Sequence, residues 1–133
     1  MSCGRSSMTT ADFFFDSYAL IEIIKGNERY ARYMRSGMIF TKLNLFETYY
    51  AFLRENLPTV AENVLIKYYP FNVDFEQSDI QAAAQLKLLY RKRKLSMADC
   101  IGYVLAQRAG MKFLTGDRDF ADLPGVEFVK AGA

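Results

Sequence analysis

The sequence predicts one three-layer α/β/α domain built on a mainly parallel, roughly five-stranded sheet. Short, wholly apolar runs such as Phe13-Phe14-Phe15 alternate with amphipathic helical patterns, as buried parallel strands alternate with the helices that cover them. The chain of 133 residues, 51% of them hydrophobic, can bury roughly two thirds of its unfolded surface, so one core suffices without disulfides or a structural metal. No repeat, low-complexity tract or linker divides it, which predicts a single domain over residues 9–133. Residues 1–8 read as a leader, disordered or derived from expression, with Met8 as the natural start.

Phe13–Phe15 is the first strand, and it runs into Asp16-Ser17 and the helical spacing of Leu20, Ile21 and Ile24. Gly26-Asn27 stops that helix. Glu28–Arg35 reads as a short helix carrying Arg29, Arg32 and Arg35, closed by Ser36-Gly37. Met38–Phe40 is a second strand, and Thr41 caps a helix in which Leu43, Phe46, Tyr50 and Leu53 form the apolar stripe. A further helix runs from Val60 to about Lys67. Tyr68–Val73 is extended and, because of Pro70, placed on a sheet edge. Helical patterns from Ser78 to the Arg91-Lys92-Arg93-Lys94 run and from Ser96 to Gly110 follow. Strands are expected at Met111–Leu114 and Val126–Val129, separated by the turn at Thr115-Gly116-Asp117.

Composition removes several chemistries. The chain contains no His and no Trp, so triads using an imidazole, His acid–base pairs and His-ligated zinc are excluded. What remains is carboxylate, Lys, Tyr or Cys chemistry, or a hard metal ion. Seventeen Lys and Arg against fifteen Asp and Glu give a net charge of +2, too mild by itself to indicate nucleic acid. Cys3 and Cys100 lack a CxxC spacing and read as the reduced thiols of a cytoplasmic protein. No apolar stretch has the length of a membrane span or export signal.

Four acids occupy apolar or strand-end settings: Asp16, Glu47, Asp99 and Asp117. In parallel α/β folds, strand-to-helix corners face the ligand crevice. Converging carboxylates there favour Mg²⁺ or Mn²⁺, because an ionised cluster without a cation carries a large desolvation and repulsion penalty. Each acid also has an ordinary structural reading. Asp16 and Asp117 suit helix N-caps, Asp99 lies three residues after Ser96 as in a capping box, and Glu47 suits a solvated helix face.

Taken in order, these segments resemble the PIN-domain family, in particular its VapC-like toxin ribonucleases, from about residue 12 onward. The resemblance rests on Phe-Phe-Phe-Asp16-Ser17, on Thr41 followed by the helical Glu47, on Leu-Ser-Met-Ala-Asp99 after the basic run, and on Thr115-Gly116-Asp117-Arg118-Asp119-Phe120. Tyr18 departs from it, standing where many members carry Ser or Thr. The resemblance implies a metal-dependent endoribonuclease with Asp16, Asp99 and Asp117 as principal Mg²⁺ or Mn²⁺ ligands. Glu47 would hold metal through water or orient the attacking water, with Ser17 and Thr115 as supporting hydroxyls. Asp119 is an accessory acid, with Asp117 favoured as the direct ligand. It further implies a homodimer, a VapB-like antitoxin partner and an RNA substrate.

Arg91, Lys92, Arg93 and Lys94, with Lys87, Arg29, Arg32 and Arg35, are candidate phosphate contacts, against the plainer reading of a solvated helix end. Tyr30, Tyr33, Tyr49 and Tyr50 offer stacking faces for unpaired bases, but spacings such as Phe46 and Tyr50 read first as core or dimer packing. One alternative function is a PIN-like domain that binds RNA or protein without cutting. A phosphoacceptor domain would need paired acids after the first strand, where this chain has only Asp16.

Overall fold

A computed structural model describes residues 11–132; the expected leader at residues 1–8, with Cys3 and Met8, lies outside them. Four strands form one sheet: β1 (Ala11–Phe15), β2 (Gly37–Ile39), β3 (Lys112–Thr115) and β4 (Val126–Phe128). Their order is β2-β1-β3-β4, and every pairing is parallel. Five α-helices cover the sheet: α1 (Ser17–Ile24), α2 (Lys42–Arg54), α3 (Pro58–Tyr68), α4 (Gln77–Leu89) and α5 (Met97–Ala109). This is the α/β class that the alternating pattern predicts.

The expected fifth strand shrinks to one parallel bridge, Phe40 with Asn72, supported by the Val73 amide donating to the Phe40 carbonyl at 2.8 Å. Tyr69–Phe71 is instead a turn of 3-10 helix. Pro70 has no amide hydrogen and a fixed φ, so it suits the start of such a turn better than a ladder. Glu28–Arg35 is also 3-10 rather than α-helical. With three residues per turn, Tyr30 and Tyr33 align on the buried side while Arg29, Arg32 and Arg35 align in solvent.

The core is aromatic. Phe14 on β1 stacks on Phe113 of β3 at 5.9 Å, and Phe113 in turn meets Phe120 at 5.0 Å and the edge of Tyr103 at 5.7 Å. Such ring pairs contribute beyond their buried area and fix relative orientation. Helix α5 approaches this stack through Gly102: a Cβ built there would lie 2.5 Å from a ring carbon of Phe14.

The stripe expected on α2 is turned by about one residue. Asn44, Leu45, Thr48 and Phe52 face inward, while Phe46 and Tyr50 are 70% and 52% exposed, stacked on one another at 6.4 Å. Reading Phe46 and Tyr50 as core periodicity of the single chain is therefore corrected. Helical spacing identifies residues that share a face, but here the covered face carries two polar side chains. Tyr30 and Tyr33, in contrast, are core residues, with hydroxyls donating to Val129 O and Glu127.

Replacing Gly102 with Ala should destabilise the protein by about 1–3 kcal/mol, because Phe14 is fully buried and has no room to yield. Urea unfolding should show a lower midpoint with an unchanged slope; an unchanged midpoint would contradict the close approach of α5.

Candidate active site

The chain leaves β1 toward β2 on one side, while β3 and β4 lie on the other. The carboxyl ends of β1 and β3 therefore flank the point where connection direction reverses, the usual place of a crevice in such sheets. Asp16 follows β1 directly. It is 1% exposed, its amide donates to Leu114 O of β3, and its carboxylate caps α1 by accepting from the Ala19 amide at 2.8 Å. The N-cap reading and the site reading of Asp16 thus describe one geometry. Capping fixes the carboxylate at the strand end.

Thr115 ends β3, fully buried, and its hydroxyl accepts from the Asp117 amide at 3.0 Å, while its influence on Asp16 favours the ionised carboxylate. Asp117 caps the short 3-10 turn Arg118–Phe120 through the Asp119 amide at 2.9 Å. Asp99 sits in the first turn of α5, bonded to Ser96, as the capping-box spacing predicts. Glu47, from the middle of α2, accepts the Ser17 hydroxyl proton at 2.5 Å.

These acids act on one another. Burial, then the charge of Asp99, raises the Asp16 carboxyl well above its ordinary range, with Asp117 adding to the rise and bonds from Thr115 and Ala19 opposing it. Burial, then Glu47, pushes Asp99 up to about 7, with a further push from Asp117 and opposition from Ser96. The four acids predicted from sequence therefore lie close enough for their charges to act on one another. Asp119 donates its amide to the Asp117 carboxylate, while its carbonyl accepts from Arg93 and its charge acts on that guanidinium.

Among the described residues no Lys or Arg forms an ion pair with any of the four; the ion pairs there join Lys25 to Glu55, Lys42 to Asp74, Arg93 to Asp122, Arg108 to Asp79 and Lys112 to Glu127. An all-oxygen donor set with uncompensated negative charge fits a hard divalent cation. Among the described residues no three acidic side chains are arranged to hold one ion together. That suits an ion such as Mg²⁺, which takes one or two carboxylates and keeps the rest of its shell as water.

Sequence reasoning missed Asn44. It is fully buried, its amide oxygen accepts from the Thr41 amide at 2.9 Å, and its Nδ2 donates to the Ser17 hydroxyl at 3.1 Å. With that lone pair engaged, the Ser17 proton is directed to Glu47. The available signal was position: Asn44 lies three residues after the capping Thr41 and three before Glu47, one face of α2.

The basic run divides. Arg91, Lys92 and Lys94 are exposed in the turn between α4 and α5. Arg93 packs on the Tyr90 ring and makes a two-pronged pair with Asp122 at 2.8 and 3.1 Å, besides its bond to Asp119 O. Its guanidinium thus ties the basic turn to the loop after β3. Lys87 donates to Leu95 O in the same turn.

These features define a PIN-type α/β domain with acids at the strand ends. A family model described as PIN domain matches residues 13–126, and the chain belongs to that family. Among solved structures it is similar to a toxin–antitoxin complex from Klebsiella pneumoniae, at 18% identity and a TM-score of 0.69, covering 86% of this chain and 94% of that one. It is likewise similar to VapC20 of Mycobacterium tuberculosis, a sarcin-ricin-loop-cleaving toxin, at 17% identity and a TM-score of 0.73, covering 88% and 98%. At these identities the likeness is one of fold. No curated protein matches the sequence significantly.

The raised carboxyls set a pH dependence. Where folded Asp16 and Asp99 hold protons that the unfolded chain has released, stability falls as pH rises, here from about 4 through about 7. An Asp99→Asn variant of the metal-free protein should therefore gain melting temperature relative to wild type across that window, by several degrees at its upper end. A constant difference between the two proteins from pH 4 to 8 would show that Asp99 is not held protonated by its surroundings.

Proposed function

We propose that this protein is a metal-dependent endoribonuclease, the toxin of a VapBC-type toxin–antitoxin pair. The observation that supports it most is the mutual electrostatic influence of Asp16, Glu47, Asp99 and Asp117 beside the switch point of the sheet, with no ion-pair partner for any of them among the described residues. One or two Mg²⁺ or Mn²⁺ ions held among Asp16, Asp99 and Asp117, each by one or two carboxylates with water completing the shell, would supply neutralising charge for a phosphodiester approaching these acids. Glu47, oriented by Ser17 and Asn44, is placed to accept a proton from the attacking water. The water oxygen bonds to phosphorus as the bond to the 3′-oxygen breaks. That oxygen takes up a proton, leaving a 5′-phosphate and a 3′-hydroxyl.

Thr115 and the Ala19 amide oppose the rise that burial imposes on Asp16, and Ser96 does the same for Asp99, so an arriving cation has less to overcome in displacing their protons. Asp119 is an accessory acid beside Asp117. Arg91, Lys92 and Lys94 supply exposed positive charge for the RNA backbone, with Arg93 serving the same run through its hold on the loop. Phe46, Tyr50 and Leu53, exposed on α2, favour a covered surface in the working assembly, for which a second copy of the chain and a VapB-like antitoxin are the partners of this reading. Among the described residues no helix is long and apolar enough to cross a membrane, and an RNA substrate suits a cytoplasmic protein.

Purified protein should cleave labelled single-stranded RNA in Mg²⁺ or Mn²⁺ and stop in EDTA, and the Asp99→Asn variant should lose activity by at least roughly a hundredfold. A 2′,3′-cyclic phosphate product, or cleavage surviving both chelator and substitution, would overturn the mechanism. Binding without cleavage in every metal would favour the non-cleaving domain. Ser17→Ala should slow cleavage by roughly tenfold while retaining the fold, since it removes the group that orients Glu47.

A further inference from the structure

We infer that Tyr18 is a positioning residue for the turn that carries Asp117, a rigid spacer between the two acid-bearing strand ends. Its activity readout rests on the nuclease reading. Gly116 lies buried between Thr115 and Asp117, and a Cβ built there would overlap Cε1 of Tyr18 and fall 2.5 Å from its Cζ. Gly116 is not among the glycines of positive φ, which are Gly26, Gly110 and Gly125. The backbone at 116 therefore does not itself demand glycine, and the nearest obstruction to a side chain there is the Tyr18 ring.

The partly buried ring is tethered at its far end. Its hydroxyl accepts from the Ala131 amide at 3.1 Å, and the Ala131 carbonyl accepts from Asn27 Nδ2 at 2.8 Å. The fully buried Tyr30 ring lies 6.4 Å away and is itself anchored to Val129 O at 2.5 Å. Tyr18 is also the second residue of α1, directly behind the Asp16 cap, so its ring is a fixed extension of the first acid corner. Contact with Gly116 transmits that corner's position to the Thr115–Asp117 turn. Tyr18 thereby sets how closely the Asp117 carboxylate approaches Asp16.

The test is a double-mutant cycle of wild type, Gly116→Ala, Tyr18→Ser and the double variant, read by melting temperature, by Mn²⁺ affinity from calorimetry and by kcat and KM for RNA cleavage. Gly116→Ala should lower the melting temperature, weaken Mn²⁺ binding and reduce kcat, the latter two by roughly tenfold. Tyr18→Ser should cost a few-fold, and the double variant should be no worse than Tyr18→Ser alone. Equal damage from Gly116→Ala with Tyr18 present and with Tyr18 replaced would overturn the inference, showing that glycine serves another need there. A silent Gly116→Ala would overturn it too. If the wild type cleaves no RNA, the nuclease reading fails while Mn²⁺ affinity and melting still decide the spacer. If it binds no Mn²⁺ either, additive melting losses sink the spacer and recovery in the double variant supports it.

Discussion

Carboxylates gathered in a low-dielectric crevice repel one another and lose solvation, and the architecture around this site answers that penalty. Every acid is bound at its base by a group that also builds the fold. Asp16 caps α1, Asp99 is capped by Ser96 at the start of α5, Asp117 caps the turn after β3, and Glu47 is held by Ser17. These bonds lower the energy of the ionised forms but leave Asp16 and Asp99 raised, because burial outweighs them. A hard cation, as in the proposed function, would relieve that residual imbalance.

Rigidity in the sheet makes such placement possible. The rings of Phe14, Phe113, Phe120 and Tyr103 lock β1, β3, α5 and the turn after β3 into one packed unit, so the strand ends bearing Asp16 and Asp117 cannot drift apart independently. Further ties act from outside that unit. Arg93 joins the basic turn to the loop at Asp122, and Tyr18 ties the first corner to the residues near 131. On α2 the division is different: its inner face is spent on Asn44 and Thr48 as well as on Leu45 and Phe52, which leaves Phe46 and Tyr50 in solvent.

The strands and helices were legible because short apolar runs and 3.6-residue spacing report burial directly, and caps such as Thr41, Ser96 and Gly110 mark helix ends. Legibility failed where two local rules competed. At Tyr69–Phe71 aromatic β-propensity lost to the proline, and at Glu28–Arg35 a three-residue period reads in sequence as a helix of the ordinary kind. On α2 hydrophobicity pointed to Phe46 and Tyr50, because nothing local shows that Asn44 has partners waiting inside.

Sequence by itself determined the α/β class, the excluded imidazole chemistry and the candidate acids, since these depend on residue identity and short-range spacing alone. Convergence was a tertiary decision. Residues 16, 47, 99 and 117 come from four separate elements, and it is the fold, with β1 and β3 adjacent in the order β2-β1-β3-β4, that sets Asp16 and Asp117 at neighbouring strand ends and lets the charges of the four act on one another. Tertiary structure also gave Asp117 and Asp119 different neighbours and removed Arg93 from the free cations of its run. Each is one residue in a pattern of like charges until a specific partner, another acid for Asp117 and Asp122 for Arg93, gives it a role.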